Sequence, residues 1–212
     1  MMFSEIFRKN RYFTAGFLVF LIALVWVMAT YSKADGFYLL NPWHPKALDD
    51  FFIYYTNLGN GFFSVVVSLG LFAFRKRFLA LMVMVDYAIS GILAQVLKHL
   101  ISEARPAIYL KDSSYPYFID HVTLHNFQSF PSGHTASAFA LATALALATK
   151  NRMYGLLFLL GAIMVGYSRI YLGQHFPDDV LVGSLLGFVT SVLCWKYWET
   201  PFRKFTAPRV KG

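Results

Sequence analysis

Charged residues are scarce in this chain of 212 residues. Asp, Glu, Lys and Arg make up 14% of it and 57% is hydrophobic, whereas a soluble domain is about 25% charged and about 45–50% apolar. The apolar residues also fall in long runs that short charged clusters interrupt, which is typical of a membrane protein. The shortage of charge therefore disfavours a soluble domain and indicates an integral membrane protein.

The chain also has little cysteine, and it is too short for a second domain beside a membrane bundle. The single cysteine, Cys194, excludes an internal disulfide. One bundle of about six spans uses the whole length, so residues 1–212 are predicted to form a single domain. The net charge of +8 would suit a nucleic-acid partner, but the basic residues stand at the ends of apolar runs, where they orient a membrane protein. We therefore expect no nucleic-acid partner, and no obligatory protein partner is evident.

The apolar runs predict an all-α fold, an integral membrane bundle of six transmembrane helices. The predicted spans cover residues 12–31, 51–74, 78–99, 134–149, 153–168 and 179–198. The first run is interpreted as a retained span rather than a cleaved signal peptide, because it is long and rich in aromatic residues. The loop at residues 32–50 contains Pro-Trp-His-Pro, which cannot lie inside a helix. The fourth and fifth spans hold only about 16 apolar residues each, roughly 24 Å of helix, so their motif-bearing ends are expected slightly below the membrane surface.

Clusters of Lys and Arg mark one end of this bundle. They precede the first span and follow the second, fourth and sixth spans, and cytoplasmic loops carry an excess of these residues. Both termini are therefore predicted to be cytoplasmic. Three polar motifs at the opposite ends of the spans are then extracytoplasmic. We therefore expect a multi-pass protein of the cytoplasmic (inner) membrane whose motifs face the extracytoplasmic, periplasmic side.

The three motifs combine cations, histidines and a carboxylate at fixed spacing. They read Lys98-x6-Arg105-Pro106, then Pro131-Ser132-Gly133-His134, then Ser168-Arg169-x5-His175-x3-Asp179. If a helix begins near Pro177, His175 and Asp179 face each other across one turn. A carboxylate there fixes the tautomer of the imidazole and raises the basicity of its far nitrogen, which makes His175 a candidate nucleophile or base.

The other motif residues are suited to binding an anion. Lys98 and Arg105 are seven apart and are predicted to share one face of the third helix, which the following proline ends. Arg169 adds a planar fork that matches phosphate. Ser132 is predicted to cap the fourth helix, and Gly133 lets the backbone approach a ligand at the helix N-terminus, where an anion is favoured.

This triple signature resembles that of the type 2 phosphatidic acid phosphatase family, with every defining position matched. The resemblance implies that His175 attacks phosphorus to form a phosphohistidine, that Asp179 orients His175, and that His134 protonates the leaving oxygen and then activates water. It implies further that the phosphate is held by Lys98, Arg105, Ser132, Gly133 and Arg169. No metal or other cofactor is implied, because cationic side chains supply the charge that Mg²⁺ supplies in other enzymes.

We therefore expect an integral membrane lipid phosphatase, whose partners are the bilayer and a membrane lipid phosphate or diphosphate. Candidate substrates are undecaprenyl diphosphate, phosphatidylglycerophosphate, phosphatidate and a lipid A phosphate; a compact chain without an appended domain favours a polyprenyl diphosphate. Two alternatives stay open. The same phosphohistidine would serve a lipid phosphotransferase, and a chain that holds a lipid phosphate without cleaving it would be a non-catalytic binding or transport protein. A vanadate haloperoxidase has a similar site, but the apolar spans argue against it.

Some polar residues outside the motifs also bear on function. His121 and His125 have a spacing that can bind a metal on a helix, but we interpret them as interfacial loop residues. Asp86, inside the third span, is predicted to make a structural hydrogen bond to another helix, and Asp178 is expected to cap the sixth helix. Near the outer end of the second span, two asparagines are candidates for lining the cavity and two glycines for close helix packing: Asn57, Asn60, Gly59 and Gly61.

Overall fold

A computed structural model of the protein describes residues 3–113, 115–120 and 122–207. Within these ranges every regular element is helical. The α-helices are α1 (Phe3–Lys9), α2 (Arg11–Thr30), α3 (Lys33–Leu40), α4 (Lys46–Tyr55), α5 (Gly61–Ala73), α6 (Arg77–Leu100), α7 (Pro106–Tyr109), α8 (Gly133–Ala148), α9 (Arg152–Tyr171) and α10 (Pro177–Thr206). A 3₁₀ turn, Thr56–Gly59, lies between α4 and α5.

Helix length and composition indicate a protein that crosses the membrane several times. In the described part of the chain, α2, α6, α9 and α10 are each long and apolar enough to span a bilayer. The segment from α4 through α5 passes the same test as one unit, although it is bent by 60° at the break. Helix α8 is apolar but has only 16 residues. The fold thus contains four candidate spans, a broken fifth and a shorter apolar helix.

The prediction of one continuous helix over residues 51–74 is wrong. The chain becomes helical earlier, at Lys46, and then changes direction at the 3₁₀ turn before α5. The side chain of Asn60 accepts a hydrogen bond from the backbone N of Phe62 (3.0 Å) and so caps α5, which allows a new helix axis to begin there. Apolar residues continue on both sides of the break, so hydropathy does not reveal it.

Several other boundaries differ from the prediction. The loop at residues 32–50 contains α3, whose start is capped by Ser32 accepting from Asp35 N (3.2 Å), and only the stretch around the two prolines is non-helical. Helix α9 has 20 residues and reaches Tyr171, so the expectation of a short fifth span is wrong, whereas the short fourth span matches α8. Helix α10 runs to Thr206, eight residues past the predicted end at 198, with Pro201 inside it.

Helix α8 lies at the centre of the bundle, packed between α6, α9 and α10. It is rich in alanine and buried on nearly every side, as expected for a helix that is apolar all round. Glycines of α10 let the two backbones approach: a Cβ added at Gly187 would lie 2.3 Å from Ala136 O, and one at Gly183 would lie 2.6 Å from Ser132 O. This close contact fixes the N-terminal end of α8 against α10.

The first predicted span is an integral part of this core. Phe13 and Phe17 of α2 are buried, and the Phe17 ring packs against Phe139 of α8 and Phe188 of α10, with centroids 5.4 and 4.4 Å apart. Aromatic pairs at such distances contribute packing beyond simple area burial. Helix α2 is thereby held against the helices that carry the motifs.

Asp86 makes the interhelical hydrogen bond that the sequence predicts. Its carboxylate is fully buried on α6 and accepts a hydrogen bond from Ser191 Oγ of α10 at 2.6 Å. A buried polar group needs such a partner to offset its lost hydration. Asp86 therefore ties two long helices together.

Candidate active site

The three motifs meet at one end of the bundle, around a cavity of about 500 Å³. The cavity is lined by six of the predicted site residues: Lys98, Arg105, Gly133, His134, Arg169 and His175. The other two lie directly behind its wall, where Ser132 N donates a hydrogen bond to Asp179 O at 3.0 Å. The structure thus brings together residues from the three motif segments of the chain.

His175 and Asp179 are paired at the start of α10. Pro177 is the first residue of the helix, and the carboxylate oxygen Oδ2 of Asp179 accepts hydrogen bonds from Phe176 N (2.8 Å) and His175 Nδ1 (3.2 Å). Since Nδ1 carries the proton in this bond, Nε2 is the ring nitrogen left for a ligand. The geometry agrees with the expectation from their spacing of four residues.

Charge and burial keep the imidazole of His175 neutral. Its exposed fraction is 2%. Burial, followed by the positive charges of Arg169, Arg105 and Lys98, holds the pKa of His175 well below its usual range. A neutral imidazole with an oriented Nδ1–H has a free lone pair on Nε2, as a nucleophile requires.

The expectation that Asp178 caps α10 is wrong. The third helical residue reaches back to the N-cap backbone, and that residue is Asp179. Asp178 instead pairs with Lys33 Nζ of α3 at 2.9 Å, and Lys33 also contacts the carboxylate of Glu103. Burial opposes the charge of Lys33, but its hydrogen bonds to Glu103 and Asp178 outweigh this and raise the pKa of Lys33.

The same carboxylates form the one candidate metal-binding group in the described residues. Oxygen atoms of Glu103, Asp178 and Asp179 lie within 4.8 Å of one another. The Lys33 ammonium already contacts two of the three, so a protein cation balances this acidic group.

Lys98 and Arg105 reach the cavity by different routes. Helix α6 ends at Leu100, so the prediction that both residues share one helix face is wrong. Arg105 has extended backbone (φ −80°, ψ 164°) because a proline follows it, and Pro106 begins the short helix α7. Lys98 Nζ donates hydrogen bonds to Gln128 O (2.6 Å) and, more weakly, to the next carbonyl.

Two residues that the motifs do not specify, Gln174 and Thr56, bind the arginines. Arg105 Nη1 donates to Gln174 Oε1 (3.0 Å), and the amide of Gln174 in turn donates to Thr123 O (2.9 Å). Arg169 is 8% exposed, and its Nη1 donates to Thr56 Oγ1 at 2.8 Å. The break after α4 therefore contributes directly to the site, which sequence analysis missed.

The N-terminus of α8 faces the cavity, as predicted. Ser132 caps the helix, with its Oγ accepting from Thr135 N at 3.4 Å and from the Thr135 hydroxyl at 2.8 Å. Gly133 and His134 follow on the cavity wall, and a Cβ added at Gly133 would meet Lys98 Cε at 4.0 Å. Free backbone amides and the helix dipole favour an anion at this position.

Residues 78–203 match the family model described as the PAP2 superfamily. This chain belongs to the PAP2 superfamily. The matched range runs from the start of α6 to near the end of α10 and includes every motif residue discussed above. The resemblance inferred from the triple signature is thereby confirmed.

Several proteins with curated phosphatase names or solved structures are similar to this chain. An undecaprenyl-diphosphatase of Sulfolobus acidocaldarius is 26% identical over 87% of this chain and 93% of its own length. The crystal structure of Aquifex aeolicus LpxE superposes with a TM-score of 0.67 and 31% identity, covering 80% of this chain and 99% of that one. The PAP2-type phosphatidylglycerolphosphate phosphatase of Bacillus subtilis superposes with a TM-score of 0.62 and 25% identity, covering 93% and 98% of the two chains.

The structure agrees with some of the remaining predictions for polar residues and glycines outside the motifs and disagrees with others. Asn57 lines the PAP2 cavity as expected, whereas Asn60 caps α5 instead. A Cβ at Gly59 would lie 2.9 Å from His134 O, and one at Gly61 would lie 2.3 Å from a tyrosine hydroxyl, so both glycines do permit close packing. His125 lines the cavity from a non-helical stretch, and the other histidine of that pair, His121, lies outside the described residues.

Proposed function

We propose that this PAP2 protein is an integral membrane lipid phosphatase that removes a phosphate from a lipid phosphate or diphosphate. The observation that carries the proposal is the buried, neutral His175, held by Asp179 against a cavity that three cationic side chains line. Three cations around one cavity are costly at membrane depth unless an anion meets them. A phosphate group supplies that anion.

The proposed reaction has two displacements at phosphorus. In the first, the lone pair of His175 Nε2 forms an N–P bond while the bond from phosphorus to the lipid oxygen breaks, and His134 gives its proton to that oxygen. In the second, water forms an O–P bond, the N–P bond breaks, and His134 takes a proton from the water. The products are a lipid with one phosphate fewer and inorganic phosphate.

The cations and the start of α8 are assigned to the phosphate oxygens. Lys98, Arg105 and Arg169 line the cavity, and Gly133 and His134 bring the start of α8 to its wall. Cationic side chains and backbone amides in such positions stabilise the charge on the equatorial oxygens of a transferring phosphoryl group. A bound phosphate also offsets the cations near His134 and so favours the protonated imidazole that the first step requires. On this account the reaction proceeds without a metal ion.

A groove beside the cavity supports a lipid substrate. It measures about 730 Å³, runs along α6 and shares Tyr87, Gly91 and Gln95 with the cavity wall. Its remaining lining is mostly apolar, including Ile92 and Val96. An apolar chain in this groove would place its polar end at the phosphate site.

We further propose a six-span topology with both termini in the cytoplasm and the site on the extracytoplasmic side of the inner membrane, with the α4–α5 pair and α8 counted as spans. The distribution of Lys and Arg supports this orientation. Relatives are named for undecaprenyl diphosphate, phosphatidylglycerophosphate and lipid A. We propose undecaprenyl diphosphate as the preferred substrate. Among the three relatives named for these lipids, the undecaprenyl-diphosphatase aligns over the largest share of this chain.

Phosphate release by the purified protein in detergent tests this proposal. The substrates are undecaprenyl diphosphate, phosphatidylglycerophosphate, phosphatidate and lipid A, each measured with and without EDTA. We expect release that survives EDTA and is lost in His175→Ala. Release that EDTA abolishes would contradict the metal-free reaction and direct attention to Glu103, Asp178 and Asp179.

Failure to release phosphate would contradict hydrolysis, and added acceptor lipids would then separate the alternatives. A phosphorylated acceptor would identify a phosphotransferase. Binding of a lipid phosphate without turnover, retained in His175→Ala, would identify a binding or transport protein.

A further inference from the structure

The segment that precedes the Pro-Ser-Gly-His motif makes hydrogen bonds to residues of the first and third motifs. Its backbone carbonyls accept hydrogen bonds from the two cations of the first motif: Phe127 O from Arg105 Nε at 3.1 Å, and Gln128 O from Lys98 Nζ at 2.6 Å. Ser129 follows, and its backbone N donates to Glu103 O at 3.1 Å. The three-part signature contains none of the residues 127–129.

The side chain of Ser129 reaches the third motif. It is fully buried, and its hydroxyl donates a hydrogen bond to Asp179 Oδ2 at 2.5 Å while lying 3.5 Å from His175 Nδ1. Asp179 Oδ2 thus receives three donors: the Ser129 hydroxyl, the backbone N of Phe176 and His175 Nδ1. The other carboxylate oxygen, Oδ1, is buried and has no hydrogen-bonding partner among the described residues.

This asymmetry makes the orientation of the carboxylate depend on the donors at Oδ2. Rotation of Asp179 would break all three hydrogen bonds, and Ser129 supplies the side-chain donor among them that is not the imidazole itself. Among the described residues, removing that hydroxyl leaves the backbone N of Phe176 as the remaining donor, besides the imidazole itself, that fixes the plane of the carboxylate. A partner behind a functional carboxylate–histidine pair sets both the tautomer and the ring orientation.

We propose that Ser129 is a positioning residue that acts through Asp179 to hold His175 in its Nδ1–H tautomer; for turnover, this rests on the phosphatase function proposed above. Ser129 does not line the cavity in the structure, so its loss should affect the nucleophile rather than the binding of lipid. In Ser129→Ala we expect kcat to fall about 10- to 100-fold, by analogy with the partners that orient metal-bound histidines, with KM unchanged.

A matched control is available on the same helix as Asp179. Ser184 is equally buried, and its hydroxyl donates to Leu181 O within α10 at 2.7 Å. Ser184→Ala removes the same atoms without touching the motif pair. We expect its kcat to match the wild type, and Ser129→Thr, which keeps a hydroxyl, to recover most of the activity that Ser129→Ala loses.

A double-mutant cycle separates positioning from general packing. If Ser129 acts through Asp179, then adding Ser129→Ala to Asp179→Ala costs no further activity, because the group that Ser129 orients is already absent. Additive losses in the double variant would overturn the proposal. A fall in kcat that Ser184→Ala reproduces would also overturn it.

A spectroscopic measurement decides the proposal even if the wild type hydrolyses no lipid. In protein labelled with ¹⁵N-histidine, the shifts of the two ring nitrogens report the tautomer, and comparison with His175→Gln assigns the signals. We expect His175 to be protonated at Nδ1 in the wild type and in Ser184→Ala, and to become a tautomer mixture in Ser129→Ala. An unchanged tautomer in Ser129→Ala would refute the role of Ser129, whereas absent phosphate release with a changed tautomer would refute only the phosphatase function.

Discussion

Replacement of Gly59 by alanine tests whether the break between α4 and α5 positions His134, the proposed general acid and base. Gly59 ends the 3₁₀ turn and lies against the start of α8. An added Cβ would lie 2.4 Å from Val165 Cγ1, 2.9 Å from His134 O and 3.1 Å from His134 Cβ. Contacts under 3.0 Å are essentially never found for real Cβ atoms, so the neighbouring atoms must move.

The size of the effect follows from these distances. Moving His134 O from 2.9 Å to the 3.4 Å of ordinary contact is a displacement of about 0.5 Å. Because a misplacement of about 1 Å at a reacting group costs about 100-fold in rate, we expect kcat to fall about tenfold in Gly59→Ala. Overpacking of about 1–3 kcal/mol should also lower Tm, by about 2–12 °C for a chain of this length.

The assay compares phosphate release and thermal unfolding in detergent, with Gly70→Ala as the control. Gly70 lies inside α5, and a Cβ added there meets no atom within 4 Å. That variant should keep the wild-type kcat and gain stability of about 0.5–1 kcal/mol from helix propensity. If Gly59→Ala kept both kcat and Tm, the break would not position His134, and the reasoning would be refuted. A lower Tm with unchanged kcat would refute the positioning part alone.

Three further predictions concern charge. The lowered pKa of His175 keeps its imidazole neutral as pH falls through 6.5, so the rate of phosphohistidine formation should not decline as the pH falls through that value. A decline in that rate with a midpoint near pH 6.5, measured by rapid-quench kinetics, would contradict this. Asp86→Asn keeps a hydrogen bond to Ser191 and should retain kcat, whereas Asp86→Leu removes the acceptor and should cost about 1–3 kcal/mol in thermal unfolding; equal stability of the two variants would count against the bond. Arg169→Lys replaces the fork that reaches Thr56 with a single ammonium and should lower kcat/KM about 10- to 100-fold; an unchanged kcat/KM would argue against bidentate binding.

Local spacing was enough to predict the parts of the site that lie on one stretch of chain. His175 and Asp179 are four residues apart at the start of one helix, and Ser132 precedes the residue whose backbone N it binds by three. Both contacts follow from such short spacings. The motif triplet indicated the family, which the family model confirms. Long apolar runs gave the positions of α2, α6 and α8 to within a residue or two.

What spacing missed was contact between distant segments. The bend after α4 depends on the cap that Asn60 provides and on close packing at Gly59. The neighbours of Gly59 are His134 and Val165, which lie 75 and 106 residues further along the chain. Arg105 was misplaced because the helix of Lys98 ends before it, and the extended segment that follows carries no periodic signal. Ser129 and Thr56 act through side chains that only the folded packing brings to the motifs.

Direct detection of a phosphorylated histidine tests the central claim most sharply. The protein is mixed with substrate labelled with ³²P in the phosphate to be released and is quenched in alkali, where phosphohistidine survives. We predict a burst of protein-bound, acid-labile label in the wild type and none in His175→Ala. In His134→Ala the label should form more slowly, because the lipid oxygen is no longer protonated, and should then persist, because water is no longer activated. Turnover without protein-bound label in the wild type and His134→Ala, or label that persists in His175→Ala, would contradict the assignment of His175 as the nucleophile.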